Sequence, residues 1–141
     1  MNEQKFSNQA EFEPLPNSAI VYRALLRKPW INEDTGLVES EAYYLRKNKN
    51  EQGISVNIAS VCSPEECAAR FRNCYGVARL EVGGIRELGL DVIPDSISHA
   101  QIAGLPYAED DPEMADLLAD LLAQQSQIDI SKIVTLCGKR T

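Results

Sequence analysis

Residues Tyr75–Pro106, YGVARLEVGGIRELGLDVIPDSISHAQIAGLP, decide the fold. Three short β-rich pulses, Val77–Val82, Leu90–Ile93 and His99–Ala103, are separated by Gly83-Gly84, Gly89 and Pro94-Asp95. Apolar, β-branched segments punctuated this closely by turn residues are what a packed sheet requires. A short helical turn is expected at Ile85–Leu88, with Gly89 as its stop.

Upstream, Ser18–Leu26 (SAIVYRALL) is β-branched and aromatic enough for a first strand, and Trp30 follows Pro29 as a loop anchor. Asn32–Gly36 (NEDTG) is a turn by composition. Leu37–Leu45 fits the strand and the helix period equally. Ile54–Val61 (ISVNIASV) alternates as a half-buried strand does. Ser63-Pro64-Glu65-Glu66 predicts a helix start, with Ser63 as cap, Pro64 in the first turn and Glu66 closing a capping box, and the helix is expected to run to about Asn73.

Downstream, a second helix is predicted from Asp111-Pro112. Met114, Leu117, Leu118, Leu121 and Leu122 recur at i, i+3, i+4, i+7 and i+8 as its apolar stripe. Ile128, Ile130, Ile133 and Val134 suggest a last packed segment. The expectation is one α+β domain over residues 18–134, with an antiparallel or mixed sheet and two main helices. Residues 1–17 read as a mobile N-terminal arm and 135–141 as a polar end.

The 141 residues suffice for one self-supporting core. A net charge of −7 repels phosphate backbones and anionic bilayers on average, so neither nucleic acid nor membrane is expected as partner. No apolar run approaches a membrane span. MNEQKFSNQAEFEPLPN has neither a secretory nor a transit pattern, and a cytoplasmic location is expected. The four cysteines form no C-x-x-C pair, so neither a metal nor a disulfide is expected. Cys67 and Cys74 are expected to share a helix face and pack inward with Phe71. Charge is unevenly laid out: Glu87 to Ser131 holds ten acids and no Lys or Arg, while the ten basic residues from Arg23 to Arg86 are interleaved with eight acids. The two halves are suited to attract each other within a chain or between subunits.

The order Tyr22-Arg23, Trp30, Gly36, Gly53-Ile54-Ser55-Val56, Gly76-Val77-Ala78, Leu88-Gly89-Leu90-Asp91-Val92 and His99-Ala100 through Pro106 resembles a group of short bacterial proteins with no assigned activity. The resemblance covers about residues 18 to 106 and implies a shared fold only. The opening Tyr-Arg strand with later Tyr and Ser positions also resembles small NAD-consuming folds related to ADP-ribosyltransferases. The glutamate that such catalysis uses has no assignable position here. GGIRELG lacks the Gly-Lys-Ser/Thr of a phosphate loop, and no cofactor is expected.

Four residues are candidates for a ligand site. Arg23 has the guanidinium geometry of an anion clamp. His99, the chain's single histidine, suits a general base or a ligand contact near Arg23 and Ser55. Tyr44, with Tyr43 beside it, and Ser55 are placed to line the same cleft. If Tyr22 faces the core, alternation turns Arg23 to the other side of the sheet. The leading functional expectation is a non-catalytic interaction or accessory module, its partner another protein or a second copy of the chain. The alternative is a small enzyme or sensor that binds NAD or another nucleotide-like ligand near Arg23 and His99.

Overall fold

The computed structural model describes residues 12–131. Six strands, β1 (Ile20–Leu25), β2 (Ile54–Ile58), β3 (Gly76–Glu81), β4 (Asp91–Pro94), β5 (His99–Ala103) and β6 (Gln127–Ser131), form one sheet ordered β4-β5-β2-β1-β3-β6. Every neighbouring pair is antiparallel. With its helices, this makes a single small α+β domain.

Alternation along β1 gives the sheet two different faces. Val21 and Leu25 join Ile54, Val56, Ile58, Leu80 and Ile102 in the main core, on the side that carries the longest helix. Ala24 and Tyr22 turn the other way, onto a smaller cluster of Cys62, Cys67, Cys74 and Val77. Tyr22 thus packs on the minor layer, whereas Arg23 starts on the main-core side and, past Tyr22–Asn57 where β1 and β2 no longer pair, its guanidinium reaches the Ser55 carbonyl of β2.

The capping box forms as the sequence predicts. The Ser63 hydroxyl accepts from the Glu66 amide at 3.0 Å, and the Glu66 carboxylate accepts from the Ser63 amide at 2.8 Å. Helix α1 spans only Pro64–Ala69, so Cys74 reaches the same cluster as Cys67 from beyond the helix. Phe71 does not pack inward with them; it is exposed. Gly83 and Gly84 are not a turn between strands but lie inside α2 (Val82–Glu87). Gly84 lies against the end of the Gln125 side chain, whose amide donates to the Gly84 carbonyl at 3.2 Å. Gly89, at φ +84°, ends the segment as expected.

Helix α3 (Pro112–Gln125) begins at Asp111, whose carboxylate accepts from the Met114 amide. Its buried face is Ala115, Leu118, Ala119, Leu122 and Ala123, while Met114 and Leu117 are 44% and 52% exposed. The predicted leucine stripe is therefore rotated. The helix lies closest to the Ser40–Tyr43 turn, and Ala115, Ala119 and Ala123 are buried together with Leu118 and Leu122. Residues 37–45 take neither regular form. Val38 bridges Ile31, and Ser40–Tyr43 make a 3₁₀ turn whose Tyr43, fully buried, bonds through its hydroxyl to Ser126 at the end of α3. Beyond Ile58, Ala59–Val61 is also a 3₁₀ turn rather than a continued strand. Ile128 packs against the main core. The expectations for Ile133 and Val134, for the arm before Phe12 and for the polar end lie outside the described residues.

The acidic and basic segments meet within the chain. Lys47 contacts Asp110 at 2.6 Å, Tyr44 donates to Asp116 at 2.6 Å, and Ser40 donates to Asp120 at 3.3 Å. No helix among the described residues is long and apolar enough to cross a membrane.

Candidate functional site

A six-residue helix rises only about 9 Å, enough to lie across two or three strands. Helix α1 packs on β1, β3 and β6 and reaches β2 through the Cys67 thiol on Asn57, with Ser55 exposed and His99 half-buried beyond it. The register sets a row of side chains there: Asn57 lies opposite both Tyr22 and His99, and Ser55 lies opposite Gln101. Where α1 stops, Arg70 and Phe71 overhang this row. The result is a cleft of about 540 Å³, lined by Arg23, Arg27, Trp30, Arg46, Glu51, Ser55, Asn57, Arg70, Phe71 and His99, together with Ala24 and Leu26.

Arg23 is half-buried. Its Nε donates to the Ala42 carbonyl at 3.0 Å and its Nη1 to the Ser55 carbonyl at 3.2 Å, while Nη2 makes no hydrogen bond among the described residues. Its guanidinium lies 5.0 Å from the centre of the Trp30 ring. Burial lowers the Arg23 pKa, yet a guanidinium stays charged at any ordinary pH. The residue therefore ties β1 to the Ser40–Tyr43 turn and to β2, and it brings a positive charge to the cleft wall.

Glu51 is held on three sides by one residue. It accepts from the Arg46 amide at 2.7 Å and from the Arg46 Nε and Nη2 at 3.1 and 2.7 Å. Burial pushes its pKa up, but the bonds from Arg46 outweigh this, and the carboxyl stays below the usual range. Arg27 and Arg70 form no ion pair among the described residues. Four arginines thus face one carboxylate, which is itself neutralised by Arg46. In a chain of net charge −7 the cleft is a local positive site.

His99 sits at the β4–β5 turn, where its carbonyl accepts from the Asp95 and Ser96 amides. Its Nδ1 is 2.7 Å from an Asp95 carboxylate oxygen. A carboxylate there accepts Nδ1–H, and in the neutral ring Nε2 then carries the lone pair. The Asn57 side chain, buried beneath the row, donates to the Ser98 carbonyl at 3.4 Å and accepts from the Cys67 thiol at 3.2 Å. Burial pushes the Cys67 thiol up to about 12, so it is an anchor rather than a nucleophile.

Of the four sequence candidates, Arg23, Ser55 and His99 line this one cleft. Tyr44 does not: its hydroxyl is committed to Asp116 on the α3 side, which with burial pushes its pKa up to about 12. Sequence reasoning missed Trp30 as a cleft residue, and missed Arg27, Arg46, Glu51, Asn57, Arg70 and Phe71. Only Asn57 carried a local signal, as a polar residue in an apolar strand. The others come from loops, where no period announces direction. A second hollow of about 550 Å³ at the β4 edge is walled by Phe12, Pro14, Val92, Ile93 and Pro94, and its one arginine, Arg86, is already bonded to Asp91 and Asn17. It offers less for recognition. Among the described residues no group of three or more His, Cys, Asp or Glu is placed to hold a metal ion. No protein-family model matches the chain, and neither a curated protein nor a solved structure matches it.

Proposed function

We propose that the chain binds a small phosphate-bearing, nucleotide-like ligand in the cleft between α1, β2 and β5. The observation that carries this reading is the meeting of Arg23, Arg27 and Arg70 with Trp30 and Phe71 around one cavity. Guanidinium groups match phosphate oxygens in pairs. The two aromatic rings supply surface against which a planar base lies. An arginine–phosphate contact contributes about 1.5–3 kcal/mol when partly desolvated, so two such contacts support an affinity in the micromolar to millimolar range.

Trp30 is the chain's single tryptophan and lines the cleft, so intrinsic fluorescence reports occupancy directly. Titration with pyrophosphate, AMP, ADP and NAD should change its emission saturably. Arg70→Ala should weaken the response about tenfold, the equivalent of one 1.4 kcal/mol contact. A flat Trp30 signal with every probe at millimolar concentration, with no rise in melting temperature, would refute the reading.

A second reading, a non-catalytic interaction module, draws support from Met114 and Leu117. They stand exposed on α3 beside Asp116 and Asp120 and suit a partner protein or a second copy of the chain. Sedimentation of wild type against Leu117→Asp tests self-association: equal, concentration-independent values exclude the second copy.

A further inference from the structure

We propose that the cleft also hydrolyses the phosphoanhydride bond of its ligand, with His99 as general base and Asp95 as the residue that positions it. This inference rests on the binding reading above and adds a reaction to it.

Three observations carry the inference. First, the Asp95 carboxylate lies 2.7 Å from Nδ1, and as an acceptor it favours the neutral tautomer whose lone pair is at Nε2. Nε2 makes no hydrogen bond among the described residues, and the side chain lines the cleft. Second, arginines dominate the wall, and they stabilise charge that grows negative. Attack on phosphorus places added negative charge on phosphoryl oxygens, which three guanidinium groups oppose with positive charge. Cleavage of a glycosidic bond would build positive charge on the sugar instead, and the same wall would raise its barrier. Third, the cleft holds a base but no proton donor. His99 is the single histidine, and both Glu51 oxygens are bonded to Arg46, which keeps that carboxyl ionised. An alkoxide leaving group needs an acid. A phosphate leaving group does not, and it departs as an anion into the same arginine field. That selects the anhydride over a phosphate monoester.

In the step itself, a water oxygen attacks phosphorus and forms a new P–O bond, while Nε2 takes one water proton. The bridging P–O bond breaks, and its electron pair stays on the departing phosphate oxygen. The imidazolium then returns its proton to solvent, so ligand plus water yields two phosphate products and one proton. NAD, ADP-ribose, ADP and ATP share this linkage.

The test follows ³¹P spectra of ADP, ATP, ADP-ribose and NAD incubated with the whole protein, alongside Trp30 fluorescence. Anhydride signals should be replaced by monophosphate signals for at least one of them. His99→Asn should lower kcat by about 10²–10⁴-fold, the usual worth of a general base, with the Trp30 affinity unchanged. Asp95→Asn should lower kcat about tenfold and leave KM in place. Added imidazole should restore turnover to His99→Gly, which a purely structural role for the ring would not allow. Saturable fluorescence without any new ³¹P signal overturns the hydrolysis and leaves binding intact; a flat fluorescence signal overturns the binding reading first. Turnover in His99→Asn within about tenfold of wild type also overturns the assignment. Should His99→Asn melt early, the imidazole arm decides: no rescue of a folded His99→Gly at low temperature refutes the base.

Discussion

Replacing Arg23 with alanine removes three contacts of different worth. The Nε bond ends on the carbonyl of Ala42, a residue with no exposed surface, and leaving that acceptor unpaired costs about 1–3 kcal/mol. The Nη1 bond ends on the carbonyl of exposed Ser55, which water can replace at almost no cost. Stacking over Trp30, itself only half-buried, contributes about 0.5–1 kcal/mol. Relief from desolvating the guanidinium offsets part of this, since burial already lowers its pKa. A net loss of about 2 kcal/mol is expected, which lowers a urea midpoint by about 1.3 M for an m-value near 1.5 kcal/mol/M. Arg23→Lys, able to keep one bond, should fall between. The loss should change little with added salt, because the principal contact is a half-buried hydrogen bond rather than a surface ion pair. Ligand-induced Trp30 emission changes should weaken in both variants. A midpoint for Arg23→Ala within about 0.5 kcal/mol of wild type would refute the reasoning, because the Ala42 carbonyl would then have another partner. Nε and Nη1 brace the fold, and Nη2 makes no hydrogen bond among the described residues, so the structural role is compatible with the proposed ligand contact.

Three further outcomes are expected. Ser63→Ala should destabilise by about 1 kcal/mol in chemical denaturation, because the Glu66 amide loses its acceptor; an unchanged midpoint would mean that the cap is solvent-compensated. Leu118→Ala should cost about 2–5 kcal/mol while Leu117→Ala, one residue away and half exposed, stays within about 0.5 kcal/mol, and equal effects would contradict the orientation of α3. Glu51, whose folded carboxyl lies below the unfolded value of about 4.3, contributes fully above that pH and loses its contribution as pH falls through the lower folded value. Urea midpoints should therefore drop on the acid side, and Glu51→Gln should flatten that part of the profile; identical profiles would show that Arg46 does not hold the carboxyl.

Local rules reach some of this molecule from sequence. The Ser63–Glu66 box is legible because its two hydrogen bonds span three residues and need nothing else from the fold. The pulses between Tyr75 and Pro106 are legible as strands because β-branching, alternation and turn residues agree over each short segment. Arg23, Ser55 and His99 could be suspected because polar residues in apolar strands stand out against the period. Strand order, which follows long-range pairing, was beyond local reading, and it alone sets His99 opposite Asn57 and lays Ser55 in the same face. Tyr43 and Tyr44 show the same limit: adjacent in sequence and alike in chemistry, one is fully buried against Ser126 and the other reaches Asp116. The orientation of α3 depended on its packing against the Ser40–Tyr43 turn, which buries three alanines with two leucines and which leucine periodicity does not measure. The cleft lies where α1 ends at Ala69, just past its Cys67–Asn57 contact with β2, and loops from distant parts of the chain bring Trp30, Arg46 and Glu51 to its rim. Sequence alone determined the capped starts at Ser63 and Asp111 and the β-rich pulses, since those depend on neighbouring residues, whereas the ends of α1 and β2 and the form of residues 37–45 did not follow from it. Tertiary structure decided which polar groups share a space, since that depends on packing between segments tens of residues apart.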